Sequence, residues 1–313
     1  MKPFIILRQL IFIPVFSIVF QSHSYGQGLG VRKQNGAMGV QTASVISFPE
    51  FTPIRGNYKI LASFSPAPAS PNEQIDQLKF PFDPVWGNKV LSLKPIFLKD
   101  VTVNDFTIPD PPANSSEQAR AELNYLLALQ HSRTAEDVRW SFYLSNNPET
   151  PSDIGRSIGL WVDPQNLPLT DSLMEHVEQD GDFFLWSLKF KYNRARPYMV
   201  EPKIHDLEES RAASFPSGHV TYAYIRAYIY QELAPEFTDF FAKKAYDMAF
   251  ARQIMGVHYP SDCEASRIFA RQFVTRLFQN AAFRQEFEQV KKEWASRAKE
   301  SLQKERGALS KGR

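Results

Sequence analysis

Apolar side chains recur at helical spacing through most of the chain beyond residue 114. Leu123, Leu126 and Leu127 form the first stripe, and Ser115 and Ser116 stand just upstream as plausible caps. Later stripes, in chain order, are Leu173, Met174, Val177, Phe184, Leu185 and Leu188; Phe237, Phe240, Phe241, Ala245 and Met248; and Ala270, Phe273, Val274, Leu277 and Phe278. Because this spacing gives each helix one apolar face to bury, the sequence predicts an all-α fold with an aromatic core.

The chain divides at Pro109-Asp110-Pro111-Pro112, since closely spaced prolines prevent a helix and favour an extended connector. Before this point, residues 27–108 are rich in Pro, Ser, Gly and Asn and contain only short β-prone pieces. We therefore predict an irregular N-terminal extension at 27–108 with no assigned function. A helical domain is predicted at 109–295, followed by a charged C-terminal tail at 296–313.

The first 26 residues have the pattern of a signal peptide. Lys2 and Arg8 flank an apolar run that is broken by Pro14, and Ser24-Tyr25-Gly26 offers small residues for an export peptidase. An uncleaved anchor is the alternative, but the run is shorter than the roughly 18–20 apolar residues that cross a bilayer. We expect cleavage near Gly26, a periplasmic or secreted location, and no membrane span in the mature form.

Charge and cysteine content exclude two classes of protein. The formal net charge is +2, and loss of residues 1–26 removes two positive charges and no negative one, which leaves the mature chain neutral. A nucleic-acid-binding surface is therefore not expected. Cys263 is the only cysteine, so no intramolecular disulfide can form and stability must come from packing.

A first group of basic residues lies at the end of an apolar helix, where Lys189 is followed by Arg196 and Pro197. Arg offers a planar fork for two phosphate oxygens, and Lys offers a compact charge. Basic residues at a helix C-terminus also complement the helix dipole while remaining in solvent. That is our expectation for Lys191 and Arg194, so this group alone does not identify a site.

A second group, Pro216-Ser217-Gly218-His219, directly precedes the apolar run 220–230. A Ser and a Gly at a helix start direct a hydroxyl and backbone N–H groups towards one point, where an anion binds readily. His219, in the first turn, could pass a proton to a departing group. The alternative is an ordinary capped helix with a surface histidine.

A third group contains Arg252, His258 and Asp262. A carboxylate four residues after a histidine can accept from one ring nitrogen, so that the other nitrogen presents its lone pair. His258 is then a nucleophile or a ligand. No second histidine at ligand spacing and no cysteine cluster accompanies it, so no metal site is predicted. The histidines expected to be surface residues are His23, His131, His176 and His205.

The order and spacing of these groups resemble the three-part motif of the type 2 phosphatidic acid phosphatase superfamily. The matching pattern is Lys189-x6-Arg196-Pro197, then Pro216-Ser217-Gly218-His219, then Arg252-x5-His258-x3-Asp262. Within that superfamily the chain most resembles the class A bacterial non-specific acid phosphatases, over roughly residues 109–294. Ala251 and Val220 depart from the pattern, where Ser and Thr are common. The resemblance implies a helical bundle of the acid phosphatase and vanadium haloperoxidase type.

The resemblance also implies roles for the site residues. His258 attacks phosphorus and forms a phosphohistidine, Asp262 orients it, and His219 protonates the leaving alkoxide. The residues expected to hold the phosphate oxygens are Lys189, Arg196, Ser217, Gly218 and Arg252. Small phosphomonoesters are the expected substrates, and no cofactor or metal is expected.

Several alternatives use the same pocket. A vanadate-dependent haloperoxidase would hold vanadate on His258, and a phosphotransferase would differ only in its acceptor. A binding protein without turnover would need the cations but neither histidine. An integral lipid phosphatase is not expected, because the helices carry too many charges to face lipid. The physiological substrate and the oligomeric state, including a homo-oligomer, are left open.

Overall fold

A computed structural model describes residues 73–82, 84–146 and 161–311 of the chain. The predicted signal peptide and residues 27–72 of the predicted extension lie outside the described residues. Within the described ranges the regular elements are helices, and pairing of extended chain is limited to an isolated bridge between Lys79 and Arg194. The predicted all-α fold class is confirmed.

Nine α-helices are described, numbered here in chain order. They are α1 (Pro84–Leu91), α2 (Glu117–Ser132), α3 (Ala135–Asn146), α4 (Pro168–Tyr192), α5 (Pro197–Val200), α6 (Gly218–Tyr230), α7 (Thr238–Ile254), α8 (Pro260–Gln279) and α9 (Ala281–Lys311). Short 3₁₀ turns occupy Glu73–Gln77, Val103–Asp105 and Pro235–Phe237.

Local chemistry sets several helix ends. Ser116 caps α2 by accepting a hydrogen bond from the Ala119 N–H, in agreement with the predicted cap. The long helix α4 ends at Asn193, which adopts the left-handed conformation with φ 44°, a conformation that Asn tolerates better than most residues. The turn between α7 and α8 passes through Gly256 at φ 72°, where a glycine avoids the strain of a side chain.

The core forms around α6, which packs against α4, α7 and α8. Phe184 on α4, Ile225 on α6, and Phe269 and Phe273 on α8 are fully buried in one apolar cluster. The predicted aromatic stripes therefore fill the core. Among the described residues, none of the helices is both long enough and apolar enough to cross a membrane.

The described part of the N-terminal extension contributes to this core. Phe97, Leu98 and Phe106 are buried in the same cluster as the helices. Asp180 on α4 accepts hydrogen bonds from the backbone N–H groups of Phe97 at 3.0 Å and Leu98 at 2.8 Å. Residues 96–106 are thus joined to the bundle by both apolar contacts and hydrogen bonds.

The C-terminal helix α9 continues without a break to Lys311. Residues predicted as a charged tail from 296 onward are therefore helical as far as that residue. Arg297 and Glu300 form an exposed ion pair of 2.9 Å one turn apart, which suits a solvated helix surface. The boundaries at 108 and 295 stay predictions.

Candidate active site

The three sequence groups lie next to one another in the structure. Lys189 lies in the last turn of α4, and Lys189 Nζ donates to the carbonyl of Pro216 in the second group at 2.6 Å. The Ser217 N–H donates to the backbone carbonyl of Asp262 at 3.4 Å. Arg196 Nη1 lies 2.9 Å from His258 Nε2. These contacts link residues of all three groups, and Lys189, Arg196 and Arg252 are almost completely buried.

His258 and Asp262 form the contact that the spacing predicts. His258 Nδ1 lies 3.2 Å from Asp262 Oδ2, and Asp262 belongs to the first turn of α8. Burial lowers the pKa of His258 well below its ordinary value, and Arg196 lowers it further. The ring is therefore neutral, and when its Nδ1–H donates a hydrogen bond to Asp262 it keeps a lone pair on Nε2.

Asp262 is ionised although it is fully buried. Burial opposes the charge, but Arg194 and the hydrogen bond with His258 outweigh it and hold the pKa of Asp262 well below its usual range. Its Oδ2 also accepts from the Tyr259 N–H at 2.9 Å and from the Ser214 hydroxyl. Each oxygen of this carboxylate thus has a defined partner, which fixes the ring of His258 in turn.

The prediction that Arg194 remains in solvent is wrong. Its side chain is 3% exposed, and its Nη1 donates to Asp262 Oδ1 at 2.7 Å and to Ser261 Oγ at 2.8 Å. Its Nη2 lies 3.5 Å from Glu122 on α2, and its guanidinium carbon lies 3.7 Å from the centre of the Tyr259 ring. Two buried carboxylates supply the counter-charges that make this burial favourable. Lys191, by contrast, is exposed as predicted.

A signal for this network was present in the sequence. Glu122 lies inside the apolar stripe of α2, directly before Leu123, and is fully buried. It accepts from the N–H of Ser261 at 2.9 Å and from its hydroxyl at 2.8 Å. A carboxylate on a buried helix face requires a partner, which points to a cation such as Arg194.

Lys189 and Arg196 are held by the chain segment that leads into the second group. Lys189 Nζ donates to the carbonyl of Ala213 at 2.8 Å, and Arg196 Nε donates to that of Ala212 at 2.8 Å. Burial, and then repulsion by Arg196, lowers the pKa of Lys189 well below its ordinary value. Burial lowers the pKa of Arg196 to about 10. Buried cations with neutral partners favour an incoming anion.

Ser217 and Gly218 form the start of α6. The Ser217 carbonyl accepts from the Thr221 N–H at 3.0 Å, the Thr221 hydroxyl at 2.8 Å and the Ser266 hydroxyl at 2.9 Å. Its own hydroxyl is buried and has no hydrogen-bond partner. Gly218 is the first residue of the helix, where backbone N–H groups lack intrahelical acceptors. The helix start therefore carries free donors, as the anion-site prediction requires.

Arg252 lies in the last turn of α7 and is 2% exposed. Both oxygens of Glu208 bind its terminal nitrogens at 2.8 Å, and Nη1 also donates to Ser145 Oγ at 2.8 Å. Its Nε is buried and has no partner. Glu208 and Ser145 were missed at the sequence level, since neither belongs to a recognisable motif. A buried donor without a hydrogen-bond acceptor costs about 1–3 kcal/mol of stability.

His219 is half-buried in the first turn of α6. Burial, followed by the charge of Arg252, lowers its pKa to about 3, while Glu208 opposes the shift. The free site therefore holds a neutral ring. Of the other predicted surface histidines, His131 and His205 are exposed, His176 lies 3.0 Å from Glu286, and His23 lies outside the described residues.

The described residues contain no group of three or more His, Cys, Asp or Glu side chains arranged to hold a metal ion. Cys263 is buried and unpaired, and burial, followed by the charge of Asp262, raises its pKa above the ordinary range. A protonated thiol in this position packs as a small apolar group.

Comparison with known proteins gives one family match. Residues 182–286 match the PAP2 superfamily. The chain is 33% identical over 128 residues to a non-specific acid phosphatase of Providencia stuartii, which covers 39% of this chain and 52% of that protein. The chain thus spans about half the length of this relative.

Two further relatives align over longer stretches. Identity is 24% over 216 residues to a non-specific acid phosphatase of Salmonella typhi, covering 64% of this chain and 84% of that protein. The chain is also 25% identical over 189 residues to an acid phosphatase of Zymomonas mobilis, and this alignment covers 59% of this chain and 67% of that protein. The matched region of the PAP2 superfamily begins after Gly181 and includes all three sequence groups.

Proposed function

We propose that this protein is a metal-independent acid phosphatase of the PAP2 superfamily, which residues 182–286 match, and that it forms a phosphohistidine on His258. The observation that carries the proposal is the 3.2 Å contact between His258 and the ionised Asp262, buried beside Lys189 and Arg196. Acid phosphatases among the relatives support the same reaction class. Small phosphomonoesters are the proposed substrates.

In the first step, His258 Nε2 attacks phosphorus, the P–O bond to the alcohol breaks, and a P–N bond forms. Asp262 accepts the hydrogen bond from His258 Nδ1–H, which keeps its proton, and stabilises the positive charge that develops on the ring. In the free site Arg196 Nη1 donates to Nε2 at 2.9 Å. When phosphate binds, one of its oxygens accepts the hydrogen bond from Arg196 Nη1 in place of His258 Nε2. Binding of phosphate therefore frees the Nε2 lone pair for attack.

The departing alkoxide receives its proton from His219. With a pKa of about 3 in the free site, this ring needs an added negative charge nearby before it is protonated at mildly acidic pH. A phosphate bound beside Arg252 supplies that charge and raises the pKa of His219. In the second step water attacks phosphorus, His219 accepts a proton from that water, and the P–N bond breaks.

The buried cations take the role that metal ions have in other phosphatases. Negative charge spreads over the equatorial oxygens in the transition state of phosphoryl transfer. Lys189, Arg196 and Arg252, together with the Ser217 hydroxyl and the Gly218 N–H, are the donors proposed to stabilise it. Preorganised donors in a site that excludes water act more strongly than the same groups in solution.

The test is hydrolysis of p-nitrophenyl phosphate by the purified protein in excess EDTA. We expect turnover by the wild type and a loss of roughly 10³-fold or more in His258→Ala, because covalent catalysis is removed. His131→Ala, on the exposed surface of α2, is the matched control and should retain full activity. An acid-labile, base-stable phosphoenzyme should accumulate when the reaction is quenched during turnover. Robust hydrolysis by His258→Ala contradicts the proposal.

The alternatives that share this pocket separate in the same assay. Vanadate should inhibit phosphatase turnover competitively, whereas a haloperoxidase would oxidise halide when vanadate and peroxide are added. An added alcohol reveals phosphotransferase activity as a phosphorylated alcohol among the products. A binding protein without turnover would retain phosphate stoichiometrically and release no p-nitrophenol.

A further inference from the structure

We propose that Glu208 is a positioning residue, which holds Arg252 so that one edge of its guanidinium is directed at the substrate phosphate. The inference rests on the proposed phosphatase function and assigns a role to a carboxylate outside the three sequence groups. Glu208 lies in the connection between α5 and α6, ten residues before Gly218. Its side chain is 23% exposed, whereas that of Arg252 is 2% exposed.

The hydrogen bonds of Arg252 define which of its edges remains available. Glu208 Oε2 accepts from Nη1 and Oε1 accepts from Nη2, both at 2.8 Å, so the carboxylate covers the end of the guanidinium. The second Nη1 hydrogen is used by Ser145 Oγ at 2.8 Å. A guanidinium has five N–H donors in a fixed plane, and three of these are accounted for.

The two remaining donors are the Nε hydrogen and the outer hydrogen of Nη2. Planarity makes them parallel, along the side of the guanidinium, at the spacing that suits two oxygens of one phosphate. The Nε atom is buried and without a partner. A donor in this state is expected where a ligand completes the hydrogen bonding, so Glu208 occupies one edge and leaves the neighbouring edge to the phosphate.

The connection that carries Glu208 is anchored to the end of α7, which also carries Arg252. The N–H of Leu207 donates to the carbonyl of Met255 at 3.0 Å. Arg133, from the end of α2, donates to the carbonyl of Ile254 at 2.8 Å and lies 3.4 Å from that of His205. These hydrogen bonds hold the connection, and with it Glu208, against the end of α7.

Glu208 also supplies the charge that makes burial of Arg252 possible. A buried guanidinium without a counter-charge is unfavourable, and the other partners of Arg252 here are the neutral Ser145 Oγ and Met255 Sδ. The charge of Arg252 outweighs the effect of burial and holds the pKa of Glu208 well below its usual range. The carboxylate stays ionised through the acidic range in which the proposed enzyme operates.

The experiment compares Glu208→Gln with wild type in hydrolysis of p-nitrophenyl phosphate and in competitive inhibition by inorganic phosphate. An amide keeps the size of the side chain but loses the charge and one of the two acceptors. We expect the KM and the inhibition constant of phosphate to rise together, each by about tenfold, the factor that corresponds to about 1.4 kcal/mol. Glu208→Asp, which keeps the charge on a shorter chain, should fall between the two.

Glu209→Gln is the matched control, because it removes the same charge from the exposed neighbouring residue. It should leave both constants unchanged. Ser145→Ala provides a second variant that frees one Nη1 hydrogen and should raise the same constants by a smaller factor. If Glu208→Gln does not fold, Ser145→Ala and Glu208→Asp carry the measurement.

Two results overturn the role of Glu208. If Glu208→Gln has a lower Tm but an unchanged KM and an unchanged inhibition constant of phosphate, the carboxylate is only structural. If the KM and the inhibition constant of phosphate fall in Glu208→Gln, Glu208 competes with phosphate for Arg252 instead of positioning Arg252. Absence of turnover in the wild type contradicts the proposed function itself, and it is recorded before any variant is compared.

Discussion

Arg194 connects the candidate nucleophile to a carboxylate on a different helix. It donates to Asp262 Oδ1 at 2.7 Å and lies 3.5 Å from Glu122, so the chain of contacts runs from α2 through Arg194 and Asp262 to His258. The charge of Arg194 is the strongest influence that keeps Asp262 ionised against its burial. The ionised state of Asp262 beside His258 therefore depends on Arg194, a side chain that lies between two buried carboxylates.

Arg194→Met keeps most of the side-chain volume and removes the charge. We expect kcat to fall by about 10- to 100-fold with little change in KM, since Asp262 no longer holds His258 in one tautomer. The pKa of Asp262 should rise towards its ordinary value or above it, because burial is no longer opposed. Activity should then be lost at a higher pH on the acid side, which a pH profile of kcat measures.

Lys191→Met, at an exposed position three residues earlier, is the control for loss of a positive charge. The double variant Glu122→Gln with Arg194→Met removes the carboxylate that the single variant leaves buried without a counter-charge. The double variant should be more stable than Arg194→Met, but its kcat should remain as low. If the acid side of the pH profile of kcat is unshifted in both variants, Arg194 contributes only to packing.

At the scale of helices, Asp182 and Tyr222 join α4 to α6. The Tyr222 hydroxyl donates to Asp182 Oδ1, and Gly181 lies beside the Tyr222 ring, where a Cβ would approach within 3.3 Å. Burial raises the pKa of Asp182 to about 6, although its hydrogen bonds with Tyr222 and Trp186 act in the opposite direction. An ionisable group thus lies in the contact between the two helices that carry Lys189 and His219.

Asp182→Asn tests this contact through its pH dependence. The folded pKa of Asp182 is above the unfolded value of about 3.9, so the folded protein binds the extra proton and loses stability as pH rises from about 4 to 6. The variant has no such loss. Its Tm relative to wild type should increase over that range and stay constant above about pH 7.

Thermal unfolding at a series of pH values from 4 to 8 measures this difference. Glu175→Gln, an exposed carboxylate on the same helix, is the control and should show no pH-dependent difference. A Tm difference between Asp182→Asn and wild type that does not vary with pH would mean that Asp182 titrates normally in the folded protein.

At the scale of the whole molecule, Phe106 shows that the described part of the extension belongs to the folded core. Its ring lies 5.1 Å from that of Phe184 on α4 and 4.9 Å from that of Phe269 on α8. Phe106→Ala should lower the free energy of unfolding by about 3–5 kcal/mol, as is typical of a large buried aromatic residue. Chemical denaturation measures the change.

The control for Phe106→Ala is Leu169→Ala, since Leu169 is 49% exposed at the start of α4. A surface change of this kind should stay within about 0.5 kcal/mol. A small effect of Phe106→Ala would mean that the extension unfolds separately from the bundle.

Periodicity predicted the helices, because it depends on residues close in sequence, whereas the convergence of the three groups was implied by their resemblance to a known three-part motif. Glu122, Arg194 and Glu208 were not predicted, since each owes its environment to contacts made 44 to 139 residues away. Burial of a charge is decided by what the tertiary fold places beside it. Pattern recognition therefore identified the residues proposed to bind substrate, but not those that hold them in place.

The backbone and the side chain of Ser217 have separate roles. Its peptide group joins α6 to α8 through the carbonyl and the N–H, whereas the hydroxyl takes no part in these bonds. The architecture therefore does not depend on the atom proposed to contact phosphate. Loss of the Ser217 hydroxyl during evolution would weaken the proposed chemistry and leave the helical bundle intact. A single substitution at this position therefore suffices to turn an enzyme into an inactive relative with the same fold.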